Sequence, residues 1–228
     1  MRGITRSASD KEVTIGSLEQ WESVRLGLSF RKRDWRIERI AATVARLGPT
    51  WDQVVLVVGP KGGLKDFWAT ASVRVEVHSD ASVGSRGVLG AFDVRRIGPN
   101  DEETVLAREA GRIEVTEPMP ITDITPAEGY AVISALDWLC DAEQRGVIGP
   151  DEAILFFIDN QAVRIKLDEW LPWGRFSWLW GLMIRKARPF AGRLQVETIS
   201  RYNNRADRLL GGDVPVWSVP PLSRPPAS

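Results

Sequence analysis

Apolar positions return every third or fourth residue from Leu18 through Trp21, Val24 and Leu28, a spacing that predicts a helix. Ser17 and Gln20 stand three apart at its start, as capping residues do. A second helix is predicted over "WRIERIAATVARLG", where Ile37, Ile40, Ala41, Val44 and Leu47 share one side and Gly48 and Pro49 close the run. Residues 1–16 lack periodicity and are expected to form a loose tail. "QVVLVV" reads as a short strand, and the glycine-rich "GPKGGLKDFW" as a connection between modules. Residues 1–71 are therefore expected to be a largely helical extension.

Beyond that point the period falls to two. Val73, Val75 and Val77 alternate with Arg74, Glu76 and His78, which predicts a strand whose end presents Asp80. "GVLGAFDVRRI" and "TVLAREAGRIEV" follow as two more strands around the turn "GPNDEE", so the three should form an antiparallel meander. "TPAEGYAVISALDWLCDAEQRG" returns to helical spacing, with Thr125 as N-cap, Pro126 in the first turn and Tyr130, Ile133, Leu136, Trp138 and Leu139 as its apolar face. Glu128 is expected in its first turn. "AILFFID" is apolar enough for a strand buried on both faces, yet it stops at Asp159 and Asn160 rather than at Gly or Pro. A short helix over "NQAVRIKLDEW", a longer one over "RFSWLWGLMIRKARPF", a strand in "RLQVETIS" and a final helix in "NNRADRLLGG" complete the pattern, the last capped by Gly211 and Gly212. This order predicts an α/β fold, a mixed five-stranded sheet of three antiparallel strands and two parallel additions, with helices on its faces over residues 72–212. Residues 213–228 are proline-rich and expected to be extended.

Composition narrows the chemistry. With 228 residues, 43% hydrophobic and 26% charged, the chain can bury one sizeable core. Thirty basic residues balance thirty acidic ones, so attraction to a polyanion must come from local clustering. Cys140 is the only cysteine and His78 the only histidine, which excludes a disulfide framework, a zinc ribbon and a multi-histidine metal cage. Cys140 falls on an apolar helix face and reads as core filler. No apolar run reaches the span of a bilayer and no secretory core follows the N-terminal basic residues, so the expected location is intracellular, nucleus or cytoplasm, with no membrane partner.

Four acids then fall at element ends: Asp80 after the first strand of the meander, Glu128 opening the helix, Asp159 after the fourth strand and Asp207 in the terminal helix. Each has an ordinary reading by itself. Asp80 can turn the backbone, Glu128 can favour a helix dipole, Asp159 can cap the next helix, and Asp207 can pair with a neighbouring arginine. Together they predict a cluster if the strands of Asp80 and Asp159 are neighbours. Converging carboxylates repel and raise one another's pKa unless a cation offsets them. Hard oxygen ligands suit magnesium or manganese, and two such ions can drive in-line phosphoryl displacement.

With "HSDAS", "TPAEGYAVISAL", "FFIDNQAV" and "RYNNRADRLL" in this order, the chain resembles the ribonuclease H-like domains of cellular ribonucleases H and of reverse transcriptases. "DN" and "N-x-x-AD-x-L" make it most similar to the ribonuclease H regions of retroelement polymerases. The resemblance covers roughly residues 72–212. It implies that Asp80, Glu128, Asp159 and Asp207 hold two magnesium ions, with manganese as a substitute, and that the chain cuts the RNA strand of an RNA–DNA hybrid beside a polymerase partner. A catalytically idle nucleic-acid-binding or scaffolding module is the alternative. Transposases, junction resolvases and exonucleases of the superfold order their acids differently.

The loop before the last helix holds a histidine in many members of that family, whereas here it reads "SRYNNRAD" with Arg201. Ser82, Asn160, Arg201 and Asn204 are candidate substrate contacts, although Ser82 and Asn160 also suit backbone capping and Asn203 and Asn204 also suit orienting the last helix. From Arg164 to Arg208 basic residues outnumber acidic ones, which predicts a positive face able to track phosphates. Most of the tryptophans in "EWLPWGRFSWLW" are expected to pack inward, with Trp173 the most exposed.

Overall fold

Tight glycine turns and short runs of β-branched residues, as much as helical periodicity, organise the first 71 residues. The computed structural model describes residues 8–29, 35–47, 50–85, 87–113 and 123–211. Strand β1 (Lys11–Ile15) leads into helices α1 (Leu18–Gly27) and α2 (Trp35–Val44), followed by strands β2 (Gln53–Val58) and β3 (Leu64–Thr70). The three strands form an antiparallel sheet in the order β1-β2-β3. The expectation of a largely helical extension is corrected here. The glycine-rich stretch is the turn of the β2–β3 hairpin, closed by the Gly59 N–H donating to the Gly63 carbonyl at 2.9 Å, with Gly62 at φ +73° where a side chain would be strained. Lys11–Ile15 had looked aperiodic because only Ile15 of that edge strand is buried. Trp21 of α1 and Ile40 and Val44 of α2 pack on Ile15, Val54 and Leu56, a cluster of their own.

The second sheet follows the predicted order. Strands β4 (Arg74–Gly84), β5 (Gly87–Ile97) and β6 (Glu103–Arg112) make the antiparallel meander. After helix α3 (Ile124–Gln144), strand β7 (Ala153–Ile158) pairs in parallel with β4, and strand β8 (Leu194–Thr198) pairs in parallel with β7. The strand order is β6-β5-β4-β7-β8, the mixed five-stranded sheet that the sequence predicts. Helices α4 (Gln161–Asp168) and α5 (Ser177–Ala187) join α3 on one face, where Val75, Val77, Phe92, Val94 and Phe156 meet Ile133, Leu136, Leu139 and Met183. The other face of β4 and β5 carries Ala206 and, from the four-residue helix α6 (Asp207–Leu210) that follows it, Leu210 against Leu89 and Ala91. The final helix is thus shorter than "NNRADRLLGG" predicts, because Arg201–Asn203 forms a 3-10 turn instead. Residues 1–7 of the expected tail, Gly212 and the proline-rich residues 213–228 lie outside the described residues.

The two sheets meet along their edges. The Ala69 N–H of β3 donates to the Gln195 Oε1 of β8 at 3.2 Å, and Arg39 of α2 pairs with Asp168 at the end of α4 at 2.5 Å. Among the described residues no helix is long and apolar enough to cross a membrane.

Candidate metal centre

Parallel pairing of β4 with β7 sets His78 opposite Phe157, so Asp80 and Asp159 follow two residues later on adjacent strands. β4 does not stop at Asp80, as the valine alternation had suggested. It runs on to Gly84 because β5 continues the ladder, with Asp80 opposite Ala91. β7 does stop, because Asn160 caps α4: its Oδ1 accepts from the N–H groups of Ala162 and Val163 at 3.0 and 3.3 Å. Asp159 is left at the open end of the strand beside Asp80.

Small residues bring the helix in. Ala127 and Ala131 of α3 pack directly on Ala81 of β4. On the far side of α3 a Cβ at Gly129 would sit 2.8 Å from the Trp180 ring, so glycine there lets α5 press close. α3 is capped by Asp123, which accepts from the Thr125 N–H at 3.0 Å. That corrects the expected cap at Thr125 and places Glu128 in the second turn. Asp, with its charge at a helix N-terminus, is the stronger cap of the two.

Asp80, Glu128 and Asp159 each offer a carboxylate oxygen lying within 4.8 Å of the other two. Asp80 and Glu128 are buried, with 5% and 7% of their surface exposed. Their internal partners are few. Asp80 accepts from the Ala81 N–H at 2.8 Å, and Glu128 accepts from Asn160 Nδ2 at 3.3 Å. Glu128 Oε2 and Asp159 Oδ1 are buried without a hydrogen bond among the described residues. Burial, and after it the charge of Asp159, pushes Asp80 up to about 7 and Glu128 up to about 8. Burial also raises Asp159.

Asp207, the first residue of α6, stands outside this trio. It lies close enough to add to the rise at Asp80, and it accepts from Arg201 Nε at 3.2 Å. A cavity of about 730 Å3 opens over the acids, lined also by Ser82, Arg201 and Arg175. Of the candidate substrate contacts, Ser82 and Arg201 face this cavity, and Asn160 links the α4 cap to Glu128. Asn204 does not face it: it is 1% exposed, its Nδ2 donates to the Ser79 carbonyl at 2.9 Å and its Oδ1 accepts from the Ala206 N–H at 3.2 Å. It pins the loop before α6 to β4, so its assignment as a substrate contact is corrected.

Arg175 was not singled out in the sequence. Its side chain is 78% exposed at the rim, 3.7 Å from Asp123, and its only signal was membership of the basic stretch. That stretch is not a free positive face. Arg164 pairs with Asp168, Lys186 with Asp137, Arg193 with Glu143, Arg201 with Asp207 and Arg205 with Glu103. Asp137, Glu143 and Glu103, distant in sequence and so invisible to a local charge count, offset three of these. Trp180 is buried and Trp173 is 62% exposed, as expected. His78 is buried and stacked on Phe157 at 4.7 Å.

No family model matches the sequence, and no curated protein matches it either. Among solved structures, the chain is similar to an N-terminal RNase H domain from Mycobacterium tuberculosis, solved as a fusion with maltose-binding protein, at 23% identity over 60% of this chain and 90% of that one, with a TM-score of 0.41. It is similar to RNase H1 from the halophilic archaeon Halobacterium salinarum at 19% identity, over 60% and 93% of the two chains, with a TM-score of 0.41. It is also similar to LC11-RNase H1 in complex with an RNA/DNA hybrid, at 15% identity over 60% and 93%, with a TM-score of 0.44.

Proposed function

We propose that the chain is a metal-dependent endonuclease that hydrolyses the RNA strand of RNA–DNA hybrids, with a retroelement polymerase as its partner. The observation that carries this reading is the trio of buried Asp80 and Glu128 with half-buried Asp159, in which two oxygens have no hydrogen-bond partner among the described residues. A fold that buries carboxylates normally surrounds them with donors. Here the donor set is hard oxygen, which fits magnesium or manganese and does not suit softer metals. Asp80, Glu128 and Asp159 would hold the ions, with Asp207 completing the site from beside Asp80.

When bound, such ions activate water and stabilise charge on the leaving oxygen of a phosphodiester. The chain's own residues do the positioning. Asn160 fixes Glu128 through its amide while its other end caps α4. Asn204 holds the loop that brings Asp207 beside β4. Arg175 and Arg201, both lining the cavity, can contact phosphates flanking the scissile bond. Ser82 is placed to meet a sugar hydroxyl or phosphate.

Cleavage of matched RNA–DNA, RNA–RNA and DNA–DNA duplexes, in magnesium and in chelator, tests this reading. The expected result is magnesium-dependent cutting confined to the RNA strand of the hybrid. Hybrid binding without cleavage would replace it with the idle module.

A further inference from the structure

The face of the sheet turned away from α3 holds a second buried polar site. Glu76 and His78 alternate with the core residues Val75 and Val77 and so point to this face, as do Asp93 and Arg95 beside Phe92 and Val94. They line a cavity of about 760 Å3 that shares no lining residue with the cavity over the carboxylate trio.

Among the described residues, two donors in this cavity have no hydrogen-bond partner. His78 is 2% exposed, and its Nδ1 accepts a long hydrogen bond from the Arg205 N–H at 3.5 Å. The ring proton therefore sits on Nε2, which is buried without a partner. Arg205 Nη1 is likewise buried and makes no hydrogen bond, although it lies 3.9 Å from Glu76. Buried donors left unpaired are rare and call for an acceptor.

The surrounding charge selects its sign. Asp93 is held by both Arg95 and Arg108, at 2.7 and 3.0 Å. Glu103 is held by Arg95 and Arg205, each at 2.6 Å, and Glu76 by Arg74 at 2.9 Å. Each of these acids is thus already held by at least one arginine. Arg208 also lines the cavity, is exposed, and has no partner among the described residues. Guanidinium groups outnumber the carboxylates they neutralise, and the unpaired groups are all donors.

We propose that this cavity binds a phosphate-class oxyanion, received by His78 Nε2, Arg205 and Arg208 on the face opposite α3. A free phosphate and a phosphodiester of a nucleic-acid strand present the same oxygens, and arginine forks suit either.

Because His78 is the only histidine in the sequence, its imidazole 15N signals report the site without assignment. The full chain, kept in chelator so that no divalent ion contributes, is titrated with inorganic phosphate, with a short single-stranded oligonucleotide, and with chloride at matched ionic strength. A saturable shift of the Nε2 signal with phosphate, with the oligonucleotide or with both, but not with chloride, is expected, and the arm that responds identifies the source. Arg208→Gln, an exposed and unpaired position that leaves the fold intact, should weaken the response by about tenfold, and Arg205→Gln should remove it. Asp159→Asn should leave it unchanged. A histidine signal unmoved by either ligand overturns the proposal, as does a response undiminished in Arg208→Gln or one lost in Asp159→Asn.

Discussion

Asp80 and Asp93 sit on neighbouring strands of one sheet, are 5% and 1% exposed, and titrate in opposite directions. Burial raises both. At Asp93 the hydrogen bonds and charges of Arg95 and Arg108 overcome it and hold the carboxyl below its ordinary range. At Asp80 the neighbours are further acids, Asp159 and Asp207, so desolvation and repulsion act together and carry it to about 7. The fold therefore builds a buried carboxylate in two ways. Where it supplies the cations itself, the acid is structural. Where it supplies more acids, it leaves room for a cation from solution.

The largest expected effect comes from breaking the unpaired side. Asp159→Asn should lower hybrid cleavage in magnesium by about a hundredfold or more, the rate equivalent of several kcal/mol of charge stabilisation. In chelator the same substitution should hold or raise the melting temperature, because it relieves repulsion at Asp80 and Glu128. Breaking the paired side should do the reverse. Asp93→Ala strands Arg95 and Arg108 and should cost about 2 kcal/mol of stability by denaturant unfolding, with the cleavage rate of the folded fraction little changed.

The two sides also differ in their response to pH. Asp80 and Glu128 have folded values of about 7 and 8, above the 3.8 and 4.5 of the unfolded chain. The folded state therefore binds protons more tightly, and the cluster destabilises progressively as pH rises from about 4 to about 8. Metal-free protein should melt at a higher temperature at pH 6 than at pH 8.5, and saturating magnesium should flatten or invert that slope. Asp93 and Glu103 are lowered, so their contribution is present above their ordinary values and is lost only in stronger acid. The smallest effect is expected at the rim, where Arg175→Gln should raise KM for the hybrid by a few fold with little change in kcat.

Much of this was legible in the sequence, and the failures share a cause. The β7–α4 junction could be read because an apolar run of six residues ending in Asp159 and Asn160 admits few other folds. The meander could be read from its period and its turn. What stayed hidden depended on partners distant in the chain. β4 continues through "SDAS" only because β5 pairs with it, and β1 and β3 form because β2 lies between them. Asn204 could be read as a substrate contact or as orienting the last helix, and its bond to the Ser79 carbonyl, 125 residues away, decides for the second. The basic stretch looked unopposed until Asp137, Glu143 and Glu103 met it. Three of the four acids converge as their order suggested, while Asp207 stands beside Asp80 and is paired with Arg201.

Calorimetric titration of manganese or magnesium into the chelator-treated full chain at pH 7, repeated in two buffers of different ionisation enthalpy, tests the carboxylate trio most directly. Saturable binding that releases protons is expected, because Asp80 and Glu128 are partly protonated at that pH and must lose those protons to bind a cation. Both the binding and the proton release should vanish in Asp159→Asn. A chain that takes up no divalent ion, or that binds it equally well without the Asp159 carboxylate, would contradict the account.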